Sequence, residues 1–269
     1  MGALVVIPAR YGSVRFPGKP LAMLAGKPMI QHVYEGAARA KSAEETVVAT
    51  DDQRIVDAVE RFGGRAVLTR PDAASGTERA AEVARTSSAQ VIINVQGDEP
   101  LVQPRMIDQL AEFLTSHAAV PMASLMTPLS RPEDLANPNV VKVVVDRTGF
   151  ALYFSRSLIP YRRDDSSSKP QAAGFRPAAC SLQPAAYKHL GIYGYQRHFL
   201  LQFPSLEPTP LERLEQLEQL RALEHGYRIK LLETEHDSIG VDTPDDLRRV
   251  ETILGASSIG RERAATRNP

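Results

Sequence analysis

Apolar residues in this chain come in short runs separated by polar, Gly-rich or Pro-rich stretches. The first run, Val5-Val6-Ile7-Pro8, leads directly into a loop ending at Pro20. That pattern reads as a buried strand that stops at an exposed loop. Residues 28–40 then place Ile30, Val33 and Tyr34 at helical spacing, with Pro28 suited to the first turn. Residues 46–50 (TVVAT) read as a strand. Residues 53–62 read as a helix with Ile55, Val56 and Val59 on one face, ended by Gly63-Gly64. Residues 66–69 form a third strand, and a helix reaching about Arg85 follows Ser75-Gly76-Thr77-Glu78-Arg79. Residues 91–95 are the strongest buried strand, and 107–114 lie in another helix. Strand–helix alternation of this kind predicts a three-layer α/β/α fold around a mainly parallel, mixed central sheet.

The second half has a different rhythm. Residues 120–129 and 140–146 are strand-like, and Arg147-Thr148-Gly149 reads as a hairpin turn into a strand over 150–154. From 161 to 186 the chain is irregular with a Ser-rich centre, a length that points to a functional or disordered loop. Residues 188–195 (KHLGIYGY) return to a strand pattern, with His189, Tyr193 and Tyr195 facing one side. Leu211, Leu214, Leu217, Leu220 and Leu223 then mark a helix. Steps of three residues slip back by about 60°, so these leucines cover a broad arc and suggest contact with a partner subunit as well as the core. Residues 229–232 read as a last strand and 244–254 as a last helix. With no repeat and no clear linker, one domain over 1–254 is expected, followed by a disordered tail over 255–269.

Charge narrows the partners. Among 269 residues, 32 Lys and Arg balance 32 Asp and Glu, which disfavours a nucleic-acid or membrane-surface partner. No apolar run approaches membrane-spanning length, so no membrane insertion is expected. A single cysteine, Cys180, fits a reducing cytoplasm.

Against that neutral background the opening loop stands out. It carries Arg10, Arg15 and Lys19 and no acid. Loops at the carboxyl ends of parallel strands bind ligands in open α/β sheets, so three cations there suggest a triphosphate, or form an ordinary solvated basic loop at a sheet edge. Two phosphate motifs are excluded. Five residues rather than four separate Gly12 from Gly18, with Pro20 after Lys19, and no G-x-G-x-x-G follows the first strand. Any phosphate grip therefore relies on side chains. Asp98, separated by two residues from the end of a buried strand, sits where a carboxylate could hold Mg²⁺ against phosphate oxygens, or simply cap a turn before Pro100. Asp242 precedes a helix whose capping belongs to Thr243, Pro244 and Asp246, which leaves it either as a second metal carboxylate or as a further cap or turn acid. Ser75, Gly76 and Thr77 could present donors at a helix start, or Thr77 could be an ordinary N-cap. His189 with its tyrosines could bond a polyol, although a satisfied half-buried histidine is the commoner case. Arg70 and Arg156 are isolated cations.

Taken in order, these segments resemble one family. IPARYGSVRFPGKPLAMLAGKPMI at 7–30, VATDD at 48–52, SGTER at 75–79, NVQGDEP at 94–100, NPNVVKVV at 137–144, ALYFSRSLIP at 151–160, HLGIYGY at 189–195, PLERLEQLEQLR at 210–221 and GVDTPDDL at 240–247 are similar to the 3-deoxy-manno-octulosonate cytidylyltransferases, or CMP-Kdo synthetases. The basic loop is shared with other nucleotidyltransferases; NVQGDEP, HLGIYGY and the PLE…EQLR segment are more specific. The 161–188 segment is longer than the family pattern, and Gly12 stands where Ala is common.

The resemblance implies transfer of CMP from CTP to the eight-carbon sugar acid Kdo, giving CMP-Kdo and pyrophosphate for lipopolysaccharide biosynthesis. It also implies a Mg²⁺ requirement and a cytoplasmic homodimer. It assigns Arg10, Arg15 and Lys19 to the triphosphate, and Arg70, Ser75, Gly76, Thr77 and Gln96 to the CTP pocket. Asp98 and Asp242 fall to the metal, with Arg10 and Lys19 beside them in catalysis. Gln96, Arg156, His189, Tyr193, Glu212 and Gln219 fall to Kdo, with Arg156 suited to its carboxylate. Residues up to about 118 form the nucleotide-binding half, and 119–254 the sugar-binding and dimerisation portion. Another sugar-acid cytidylyltransferase, using an acylneuraminate or 8-amino-Kdo, and a catalytically silent nucleotide-binding protein remain the alternatives.

Overall fold

The computed structural model describes residues 2–12, 16–129, 131–161 and 187–265, with side chains as far as Gly255. In chain order the elements are β1 (Ala3–Ala9), β2 (Met23–Leu24), β3 (Lys27–Pro28), α1 (Met29–Ala38), β4 (Ala43–Thr50), α2 (Gln53–Arg61), β5 (Ala66–Leu68), α3 (Gly76–Arg85), β6 (Val91–Asn94) and α4 (Pro104–Ser116). The second half adds β7 (Met122–Pro128), α5 (Pro132–Ala136), β8 (Lys142–Val145), β9 (Ala151–Ser155), β10 (Tyr187–Gln196), α6 (Arg197–Gln202), α7 (Pro210–Glu215), α8 (Gln219–Glu224), β11 (Ile229–Glu233) and α9 (Pro244–Ala265).

β1 is buried along its whole length because both of its faces are covered. Val5 and Ile7 pack with Ile30, Ile55 and Leu110 from α1, α2 and α4 on one side. Leu4 and Val6 pack with Ala80 and Ala84 of α3 and Phe199 of α6 on the other. Strands buried on two faces read as continuous apolar runs, and this one does. The central sheet runs β11-β7-β10-β6-β1-β4-β5. β6, β1, β4 and β5 are parallel neighbours, and β11 is parallel to β7. β10 inserts between β6 and β7, antiparallel to both. The register sets Tyr193 opposite Asn94 and His189 opposite Met126. The first half of β10 thus extends beyond the end of β6, on the side where the Asp98 loop begins. Among the described residues, no helix is long and apolar enough to cross a membrane.

Two features differ from the sequence expectation. The leucine-rich stretch is not one helix: it breaks at Gln216, whose backbone is left-handed (φ 53°), so α7 and α8 are separate. Arg156 supplies a physical reason. Its Nε donates to Glu215 O at 2.7 Å and its Nη2 to Gln216 O at 3.3 Å, taking carbonyls that a continuing helix would use. Leu217 and Leu220 stay buried, whereas Leu214 is 80% exposed, so the broad arc that carried the dimer expectation is not a single surface. The last helix also continues to Ala265, into the stretch read as a tail. That stretch contains no proline before Pro269, and its alanines and arginines favour helix.

Candidate active site

The first wall is the loop after β1. Gly18 adopts φ 71°, and its N–H bonds Tyr11 O at 2.9 Å, folding the loop back on itself. Lys19 opens only a short 3-10 turn over Lys19–Leu21, because Pro20 cannot extend a regular ladder. Its ammonium is mostly buried and points inward. Lys19 Nζ lies 2.6 Å from Asp98 Oδ2 and 3.3 Å from Asp242 Oδ1. Three distant segments thus bring one cation and two acids to a point.

Each acid has an identifiable support. Asp98 follows Gly97, where a Cβ would sit 2.6 Å from Pro8 O, so only glycine lets the β6 loop pass the end of β1. Asp242 lies just before α9, and Val241 beside it packs with Val250 of α9 onto Leu24 and Met29. Val241 N donates to Asp98 O at 2.9 Å, joining the two acid-bearing loops by their backbones. Asp246 takes the cap of α9, accepting from Thr243 N at 2.9 Å and Asp242 N at 3.1 Å. The cap of α9 is thus served by Thr243 and Asp246, as the sequence suggests.

Asp98 and Asp242 stand at the edge of a cavity of about 490 Å³ that also touches His189, Tyr193 and Gln219. Gln219 is 4% exposed, and its Nε2 has no hydrogen-bond partner among the described residues. A buried amide left this way is costly unless a ligand supplies the acceptor. His189 Nε2 and Ser124 Oγ are 2.8 Å apart, and Ser124 Oγ donates to Ile192 O at 2.8 Å. With the hydroxyl proton so placed, Nε2–H donates to Oγ and Nδ1 is left as an acceptor. Burial drives the imidazole pKa down to about 3.

That shift predicts a stability effect. Unfolded, His189 binds a proton below about pH 6.5, whereas the folded imidazole resists until about 3. Between these values the unfolded chain holds more protons, so stability falls as pH falls. Glu99 acts in the opposite sense between about 4.5 and 7, because burial raises its carboxyl to about 7 despite the bond from Ser238 Oγ. The comparison with His189→Gln removes that overlap. Wild-type stability minus variant stability, from urea unfolding, should drop by up to about 1.4 kcal/mol per pH unit below pH 6.5. A difference that stays constant from pH 7 to pH 5 would refute the assignment.

The nucleotide-side residues gather around the start of α3. Ser75, not Thr77, is the N-cap: its Oγ accepts from Glu78 N at 3.2 Å. Thr77 is buried instead, and its hydroxyl donates to Glu218 Oε2 at 2.5 Å. Burial raises the Glu218 carboxyl above its usual range. A Cβ on Gly76 would meet Pro8 Cγ at 3.2 Å and Gln96 Oε1 at 3.8 Å, so Gln96 links the start of α3 to the end of β1. Gln96 Cγ would also lie 3.8 Å from a Cβ on Gly191, which lines the cavity. Arg10 Nη2 donates to Ala73 O at 2.6 Å, and Arg70 is exposed with only loose ion pairs at 3.7 Å. Arg15 and most of the long 161–188 segment lie outside the described residues.

Three residues assigned to the sugar acid, Gln96, Arg156 and Glu212, are not on the cavity wall. Arg156 spends its guanidinium on the carbonyls of Pro138, Glu215 and Gln216. Glu212 is held by Arg221 at 2.5 and 2.8 Å and accepts from Thr209 N in a capping box. Sequence reasoning also passed over Glu99, Ser124 and Glu218. Glu99 and Glu218 stood inside the quoted motifs, whereas nothing local marked Ser124, whose role depends on the β7–β10 register.

Comparisons with known proteins identify the family. A family model described as cytidylyltransferase matches residues 4–230. A 3-deoxy-manno-octulosonate cytidylyltransferase of Syntrophotalea carbinolica is 52% identical over 258 residues, covering 94% of this chain and 99% of that protein. Its counterpart in Geobacter sulfurreducens is also 52% identical, covering 93% and 98%. A solved structure of CMP:2-keto-3-deoxy-manno-octonic acid synthetase complexed with CTP superposes with a TM-score of 0.85 at 42% identity, covering 96% of this chain and all of that one. On sequence along nearly its whole length and on fold, the chain belongs to the 3-deoxy-manno-octulosonate cytidylyltransferases.

Proposed function

We propose that the chain transfers CMP from CTP to Kdo, releasing pyrophosphate, with Mg²⁺ held by Asp98 and Asp242. The observation that carries the reading is the meeting of Lys19, Asp98 and Asp242 beside a cavity lined by Gln219, whose buried amide has no partner among the described residues. The donor set fits the ion. Mg²⁺ takes hard oxygens and commonly binds through one or two carboxylates plus substrate phosphates. Among the described residues no group of three or more His, Cys, Asp or Glu forms a fuller metal cage. When bound, Mg²⁺ supplies charge neutralisation at the phosphates.

The protein's own residues do the positioning. Lys19 and Arg10 place positive charge along the triphosphate path. Ser75, Gly76 and Thr77 set one wall of the nucleotide pocket, with Arg70 exposed at its rim. His189 Nδ1, the Gln219 amide and Tyr193 offer an acceptor and donors to sugar hydroxyls, and Gln96 stands between the two subsites. A P–O bond forms to the anomeric hydroxyl as the bond to pyrophosphate breaks. Catalysis of this kind is mainly orientation and electrostatics.

Purified protein with CTP, Kdo and Mg²⁺ should release pyrophosphate, and omission of Mg²⁺ should abolish the release. Parallel reactions with UTP, N-acetylneuraminate and the 8-amino analogue of Kdo rank the substrates. No release above background with Kdo sinks the proposal, and faster turnover of another sugar acid replaces Kdo with that acid.

A further inference from the structure

The loop between β5 and α3 is held from behind by its own helix. Arg79 in α3 is fully buried. Its Nη2 donates to Asp51 Oδ2 at 2.5 Å, and its Nη1 to Thr69 Oγ1 at 2.6 Å and Arg70 O at 3.2 Å. Two acids of the same helix take loop amides. Arg70 N donates to the Glu82 carboxylate at 3.2 Å, and Ala74 N to Glu78 Oε2 at 2.8 Å. From the opposite side, Arg10 Nη2 donates to Ala73 O. The backbone of 70–74 is therefore clamped along its length, while Arg70, Pro71, Asp72 and Ala74 keep their side chains exposed.

Packing alone does not call for such a device. A buried ion pair can often be replaced by apolar side chains without loss of stability. Arg79 Nε is buried with no partner among the described residues, which is a standing cost. What an arginine fork provides that an apolar side chain cannot is fixed geometry at several acceptors. The clamped loop runs into Ser75 and Gly76, and Gly76 abuts Pro8 and Gln96 beside the Lys19–Asp98 wall.

We infer that Arg79, anchored by Asp51, is a positioning residue for the nucleoside triphosphate: it holds the 70–74 backbone in place so that the nucleotide meets a preformed surface. A preformed site spares the ligand the cost of ordering the loop. The inference rests on reading Ser75–Thr77 as the nucleotide subsite. Its role is distinct from catalysis, since Arg79 is sealed from the cavity that holds the reacting groups.

The test compares wild-type protein with Arg79→Lys, which keeps a charge facing Asp51 but loses the fork. Calorimetric titration with CTP and Mg²⁺ should show affinity weakened about tenfold. Amide hydrogen exchange should accelerate at 70–74. In steady state, KM for CTP should rise, while KM for the sugar acid and kcat at saturating CTP stay within about twofold. Should Arg79→Lys fail to fold, Thr69→Val removes one acceptor and should weaken CTP about threefold in the same selective way. Unchanged CTP affinity in a folded variant, or weakening shared with the sugar acid, overturns the inference. A wild-type protein that does not bind CTP overturns the nucleotide reading instead, and unchanged exchange at 70–74 in Arg79→Lys then overturns the clamp on its own.

Discussion

Asp98→Asn should lower pyrophosphate release about a thousandfold while leaving the protein folded. The carboxylate is one of two that meet at Lys19 Nζ, at 2.6 Å against 3.3 Å for Asp242. An asparagine of the same shape keeps the turn but removes a full charge from the pair. A hard divalent cation then loses one of the two anionic oxygens the protein offers it. The fold should tolerate the change, because the bond that joins this loop to the α9 loop runs from Val241 N to the Asp98 backbone carbonyl. The Asp98 side chain is also partly solvated and paired with Lys19 rather than sealed in the core. Pyrophosphate release and a thermal melt on the same preparation decide the matter. Turnover near the wild-type rate would remove Asp98 from the metal site. A collapsed melting temperature would instead make its role structural.

Gly97→Ala should also cost most of the activity, for a steric reason rather than a chemical one. The added Cβ would sit 2.6 Å from Pro8 O and 3.6 Å from Ala9 Cβ. The nearest obstacle is backbone, in a parallel strand buried on both faces, so it cannot swing aside as a side chain would. Relief requires the β6 loop to move away from β1, which carries Asp98 away from Lys19. Displacements of about 1 Å near reacting groups can cost about a hundredfold in rate. Overpacking of this kind costs about 2 kcal/mol, or roughly 5 °C in melting temperature for a chain of this size. Gly12→Ala is the matched control, since a Cβ there meets nothing within 4 Å among the described residues. It should leave rate and melting temperature unchanged. Wild-type activity in Gly97→Ala would show that the Asp98 loop has slack that the packing does not suggest.

Much of this site was legible from residue order. The run 91–95 could only be a buried strand, so Gln96 to Asp98 had to fall at its end, on the face where the loop after β1 also ends. Thr243, Pro244 and Asp246 accounted for the cap of α9 and left Asp242 over, and the structure has Asp246 serving that cap. The leucine stretch failed for an equally definite reason. Its spacing suits a helix, yet Arg156, far away in sequence, captures the carbonyls of Glu215 and Gln216 and splits it. Thr77 read well as a cap, but Ser75 already occupied that position and freed Thr77 for Glu218.

Sequence by itself determined the strand–helix alternation of the first half, that β1 would be buried, and that Asp98 and Asp242 lie in loops at strand and helix ends. Periodicity and capping are local, so a single chain read in order reveals them. Tertiary structure alone decided which polar side chains remain available. It brought Lys19 to both acids from distant parts of the chain, left Gln219 Nε2 without a partner among the described residues, and spent Arg156 and Glu212 on carbonyls and Arg221. A charged side chain bonds whichever group the packing sets beside it. That neighbour comes from distant segments whose juxtaposition no local pattern encodes.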